Sequence, residues 1–384
     1  MTPLALLLLP TLSEGPLARV ELSFPREEAA GPLVETMVEA MGSRLRADLR
    51  VLDSGLRVDA GCSRSRCVLA LDGLATGVDA ALPALAEVVA GLPPSLGVAT
   101  KRQLRRRWRD AWRSPARLLD AGLTALTSGG VAEGRARDRP RFRPQDRAEA
   151  ARQVAAPGAW AELAAAGSYD EPSVRAFSPT FGPAEPPGTP PPPAVVSPQP
   201  SILLVDWPGA ARTQIGVAWG HSEGDDVRER LLAGDFHSVL VQRLRETDTF
   251  TYDVTPEFGD GWAGASFDVA RESAVPSIVA TMEELKNVER IDPGMIVGAT
   301  LRLQANMAAL GDTLVGRLAL RFLPSPPPTP PLALSPPQLI GVVLVGDAAS
   351  LQGPLHAVFP DLALSVVSRC KLMYIRDTPP GCCS

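Results

Sequence analysis

Apolar residues recur at helical spacing at Leu33, Val34, Met37, Val38, Met41 and Leu45, which predicts an amphipathic helix over residues 31–45. A strand is predicted just before it, over residues 19–24. The same pair returns about 195 residues later, as a strand over 213–219 and a helix over 225–245. The stripe of that second helix is Val227, Leu231, Leu232, Phe236, Val239, Leu240 and Leu244. A strand over 65–72 and a helix over 77–90 are matched by a strand over 265–271 and a helix over 274–288. Each series then enters a long helical stretch, 100–126 and 294–322, and closes in a strand, a turn and a helix, 161–177 and 340–359. Repetition at a fixed offset reads as an internal duplication. Strands and helices in this order predict an α+β fold of two similar domains, each a mainly antiparallel sheet with helices packed on one face.

Proline sets the expected boundaries. The chain of 384 residues holds 39 prolines, and they cluster. Residues 184–200 read as an extended, semi-rigid linker, because proline donates no backbone hydrogen bond and packs poorly there. A second run, 324–337, reads as a surface loop. The length suits two domains, so the expected map is a first domain over 18–183, the linker, a second domain over 201–369 and a tail from 370 to 384.

Charge and cysteine narrow the function classes. The formal net charge of −5 and the 21% of charged residues suit a soluble globular protein and exclude a globally basic nucleic-acid surface. A local exception is the run from Lys101 to Arg113, with Trp108 and Trp112 four apart, which reads as a solvated helix face or as a surface for an acidic partner. Cys62 and Cys67 read either as a local disulfide across a turn or as two buried thiols. Residues 1–17 hold the apolar run 4–9, read either as a weak signal segment or as a short strand or disordered end. The first reading places the protein in the periplasm or outside the cell, the second in the cytoplasm. No stretch approaches the length of a membrane-spanning helix.

The second half carries a resemblance. Leu203-Leu204-Val205-Asp206-Trp207-Pro208-Gly209-Ala210 followed by Thr213-Gln214-Ile215, then Arg243-Leu244-Arg245-Glu246 leading to Phe250-Thr251-Tyr252, then Val342-Val343-Leu344-Val345-Gly346-Asp347-Ala348, together resemble the second domain of the insulinase/pitrilysin zinc peptidases. The match covers most of 201–369. One stretch departs from the family pattern, at Ala233-Gly234-Asp235-Phe236-His237-Ser238.

Active members of that family carry His-x-x-Glu-His on the first long helix, with two histidines binding zinc and the glutamate activating water. In this chain Val34 and Val38 stand at the histidine positions and Met37 at the glutamate position. The downstream segment from Lys101 to Arg109 offers no carboxylate for the last ligand. The resemblance therefore implies a non-catalytic member with no cofactor of its own, zinc being expected only in a partner subunit. It implies a zinc-bearing relative and a peptide substrate as partners, with Arg245 and Tyr252 reaching the substrate in trans. The alternative is a scaffold or binding protein that retains only the fold. The three histidines, His221, His237 and His356, lack a second His or Cys at helical ligand spacing. Gly259-Asp260-Gly261-Trp262-Ala263-Gly264 lies between two predicted strands and reads as a hairpin rather than a phosphate cradle, which would open a helix.

Overall fold

Side chains alternate across a strand, and the alternation along residues 17–25 builds the middle of a sheet. The computed structural model of the chain describes residues 5–8, 17–25, 31–62, 66–90, 113–127, 162–177, 199–222, 224–259, 261–311 and 333–369, with single positions at 102, 106, 313, 331 and 372. In it β2 (Leu17–Pro25) lies between β4 (Arg66–Leu74) and β5 (Glu162–Gly167), antiparallel to both. β3 (Arg57–Cys62) continues the sheet beyond β4, and β1 (Ala5–Leu8) runs parallel to β5, giving the order β1-β5-β2-β4-β3. The apolar run near the N-terminus thus forms a strand. Cys62 and Cys67 face each other across the β3–β4 hairpin and are joined as a disulfide.

One face of this sheet is the core. Ala18, Val20 and Leu22 of β2 are fully buried with Val34, Val38 and Leu45 of α1 (Gly31–Arg46) and Leu85 of α3 (Ala75–Ala90). A short α2 (Leu49–Asp53) begins at Asp48, whose carboxylate accepts the Arg50 N–H. On the other face Arg19, also buried, donates to Asp59 at 2.6 Å, to Glu21 at 3.2 Å and to Asp72 at 3.4 Å. A buried guanidinium needs such surrounding carboxylates, because desolvating it unpaired is costly.

The second sheet has the order β11-β6-β10-β7-β9-β8. Its strands are β6 (Ser201–Asp206), β7 (Arg212–Gly220), β8 (Val254–Gly259), β9 (Trp262–Ala270), β10 (Leu339–Gly346) and β11 (Ala363–Ser368). β6 pairs parallel with β10, and β10, β7, β9 and β8 follow antiparallel, the order and senses found for β1, β5, β2, β4 and β3. β2 and β7 begin at residues 17 and 212, and 212 − 17 = 195. The glycine-rich stretch after residue 258 is the β8–β9 hairpin, with Gly261 at φ +74°.

Helices cover both faces of this second sheet. Ile215, Val217 and Trp219 of β7 pack with Val227 and Leu231 of α6 (Asp226–Ala233), Ile278 of α7 (Ala274–Lys286), Ile296 of α8 (Pro293–Gly311) and Leu351 of α9 (Ala348–Val358). On the opposite face, α4 (Pro115–Thr127) lays Leu118, Leu119, Leu123 and Leu126 against Leu203, Val205, Ile340, Val343 and Val345. β10 is buried along nearly its whole length, so both of its faces need cover. Residues 113–127 therefore cluster with the second sheet in one compact unit, while the first sheet with α1 and α3 forms the other. The sequence assigns the α4 region to the first domain, whereas its apolar stripe is buried in the second unit.

The predicted helix over 225–245 is interrupted. α6 ends at Gly234, and helical structure resumes only with Val239–Val241 and a π-helical turn at Gln242–Thr247. Asp235 holds the break: its Oδ1 accepts the His237 N–H, its carbonyl accepts the Ser238 N–H, and Oδ2 pairs with Arg230 and Arg302. Phe236, expected in the apolar stripe, consequently points outward and is 69% exposed. The proline-rich residues 184–198 lie outside the described residues, as do 101, 103–105 and 107–112 of the basic run. In the second proline run residues 333–337 are irregular, and 324–330 and 332 lie outside the described residues. Among the described residues no helix is long and apolar enough to cross a membrane.

Candidate functional site

The α1 positions singled out by the resemblance are interior. Val34 and Val38 are fully buried and Met37 nearly so, all within the apolar core of the first unit. These side chains offer an ion no oxygen or nitrogen atom, and only the methionine thioether could act as a ligand. α5 (Glu171–Phe177), the last described helix of this unit, begins at Asp170, whose carboxylate accepts the Ser173 N–H.

Arg245 and Tyr252 are placed by the turn after the π-helical segment. The backbone N–H groups of Phe250 and Thr251 both return to the Leu244 carbonyl, and Thr249 takes a left-handed φ of 52° to close the turn. Arg245 is engaged locally: its Nε lies 3.3 Å from Glu246 Oε1, and its guanidinium sits 5.4 Å from the centre of the Phe236 ring. Tyr252 is 86% exposed and forms part of the wall of a groove of about 360 Å3. Arg245 does not line that groove. The groove runs between α4, through Asp120, and the strands β7, β8 and β9, through Gln214, Glu257 and Asp268.

A second cluster forms where β7 meets α6. His221, Asp225 and Glu229 bring ligand-type atoms within 4.8 Å of one another. Spacing of His and Cys alone missed this group, because two of its members are carboxylates. One guanidinium sits among these carboxylates. Arg228 donates to Glu229 Oε1 at 2.7 Å, to Asp225 Oδ2 at 2.9 Å and to the Gly220 carbonyl at 2.9 Å. The indole of Trp219 donates to Glu229 Oε2 at 2.5 Å. Arg228 thus already engages Glu229 Oε1 and Asp225 Oδ2, two of the atoms with which these side chains would hold a metal ion. His221 Nδ1 lies 3.6 Å from Glu229 Oε1 and makes no hydrogen bond there, and the charge of that carboxylate raises the histidine pKa above its ordinary value against the opposing effect of burial. His237 and His356 are exposed and belong to neither cluster.

No family model matches the chain, and no curated protein matches it. Among solved structures the fold is that of the peptidase M16 proteins. The chain is 16% identical to a peptidase M16 inactive domain from Pseudomonas fluorescens, with a TM-score of 0.69 over 89% of this chain and 95% of that one. It is 12% identical to a protease from Helicobacter pylori, with a TM-score of 0.64 over 88% and 96% of the two chains. The periplasmic protease PqqL from Escherichia coli is 10% identical with a TM-score of 0.56, and this chain spans 43% of its length. These likenesses establish the two-sheet α+β architecture expected from the resemblance to the insulinase/pitrilysin peptidases.

Proposed function

We propose that this chain is a non-catalytic, peptidase-like subunit that pairs with a zinc-bearing relative to enclose a peptide. The observation that carries the reading is the burial of Val34, Met37 and Val38 on α1, where the resemblance would set two ligands and a base. Zinc belongs to the partner, and this chain contributes Arg245 and Tyr252 in trans. The matching order and senses of the strands in the two sheets support the internal duplication that such a chamber half would derive from. Metal analysis of the purified chain should find no stoichiometric zinc, and the chain alone should cleave no peptide. Co-expression with a relative bearing His-x-x-Glu-His should yield a heterodimer with chelator-sensitive activity. Tightly bound zinc in this chain, with hydrolysis lost to chelator, would overturn the proposal. The engagement of Arg245 by Glu246 and Phe236 favours a second reading, a scaffold with no part in proteolysis. That reading gains if no such relative co-purifies.

A further inference from the structure

We infer that the surface segment after Leu244 is a two-state element, in which the π-helical turn at Gln242–Thr247 rewinds to α-helix and releases Arg245 from Phe236. The two windings belong to this chain alone. Only their bearing on a bound peptide rests on the function proposed above.

The turn is wound wide. The Asp248 N–H donates to the Arg243 carbonyl at 2.9 Å, five residues back, where an α-helix would use the Leu244 carbonyl. Two side-chain contacts share that five-residue step. Thr247 Oγ1 donates to the Gln242 carbonyl at 3.1 Å, and Arg243 Nε lies 2.9 Å from Asp248 Oδ2. Positions five apart stand about 140° apart around an α-helix, so both contacts belong to the wide form only. Arg243 and Asp248 are partly exposed, and such a pair adds little. The wide form also carries a cost. Thr249 takes a φ of 52°, a left-handed value that is an outlier for a β-branched side chain.

Rewinding leaves the core closed. Leu244 and Thr251 are buried, while Glu246, Thr247 and Thr249 between them are exposed. Moving the Asp248 N–H to the Leu244 carbonyl closes an ordinary four-residue bond and lets Thr249 return to a negative φ. It also turns Arg245 about the helix axis. Arg245 then leaves the Phe236 ring, whose segment is fixed separately through Asp235, and the contact at 5.4 Å is lost. Tyr252 stays on the groove wall in either form, because it lies beyond the buried Thr251. The wide form thus presents Tyr252 without Arg245, and the α form frees Arg245 to join it.

The test is transverse-optimised 15N relaxation dispersion on the full chain, which reads microsecond-to-millisecond exchange with a form populated at about 0.1–10%. Exchange is expected at the amides of 243–250. Thr249→Gly accepts the left-handed φ at no steric cost, so it should lower the minor population at least about fivefold. Asp248→Ala deletes the ion pair of the wide form and should raise that population about two- to fivefold. Thr247→Val should act in the same direction, and it stands as the test if Asp248→Ala misfolds. A flat profile in both the parent and Asp248→Ala, or a population that Thr249→Gly leaves unchanged, would overturn the inference. No zinc-bearing relative enters the measurement, so its outcome is independent of the proposed role in proteolysis.

Discussion

Trp219 and Glu229 are joined by a hydrogen bond of 2.5 Å from the indole Nε1 to Oε2, between two side chains that are 1% and 3% exposed. Glu229 has no oxygen left over, since Oε1 accepts twice from Arg228. The carboxylate is thus the joint between the buried end of β7 and the first turns of α6.

Removing that joint should be costly. Glu229→Ala leaves the buried Arg228 short of one partner and the Trp219 N–H without an acceptor. A loss of about 3 kcal/mol is expected, in the range for breaking a buried pair. Urea denaturation of parent and variant measures it, and a loss below about 1 kcal/mol would mean that Asp225 and water replace the carboxylate.

The same cluster should make stability depend on pH. His221 has a folded pKa raised above 6.5. The charged form is therefore bound more tightly in the folded state. Its contribution is fully present below the unfolded value and is lost as pH rises through the folded value. The stability difference between the parent and His221→Gln should shrink over that window. A histidine titration followed by NMR should put His221 above an unperturbed histidine, and a midpoint below 6.5 would contradict the assigned pairing with Glu229.

The docking of α4 on the second sheet can be tested at one glycine. A Cβ at Gly122 would lie 2.5 Å from Val343 Cγ1. Alanine ordinarily improves a helix by about 1 kcal/mol over glycine. The overpacking cost of about 1–3 kcal/mol should outweigh it here. Gly122→Ala is expected to lower stability, and a gain would indicate that α4 does not rest on β10 as described.

For Arg245 and Tyr252 the measurement is reconstitution with a zinc-bearing relative. Negative charge develops on the carbonyl oxygen during water attack, and a phenol or guanidinium aimed at it stabilises the transition state. Tyr252→Phe and Arg245→Ala should each lower turnover about tenfold, equivalent to about 1.4 kcal/mol, with assembly intact. Unchanged cleavage by both variants would leave Arg245 a partner of Glu246 and Phe236 only.

Local periodicity by itself determined β2, α1, α3, β7, α7 and the closing strand–helix pairs, because burying one face of an element imposes its own repeat on the chain. It also determined that Val34, Met37 and Val38 are core residues, since they stand on the apolar stripe of α1. The edge strands β3, β8 and β11 left weak traces: each has a neighbour on one side only, and their alternating positions are only partly buried. The break at Gly234–Ser238 was hidden because Phe236 and Val239 continue an apolar stripe whose helix Asp235 interrupts. Only the tertiary structure decided that α4 covers the second sheet, since an apolar stripe states that a face is buried and not against what. The groove and the Glu229 cluster belong to the same class. Asp120, Gln214, Tyr252 and Asp268 lie as far as 148 positions apart, 268 − 120 = 148, and the groove they line exists only once the sheet and α4 set them side by side.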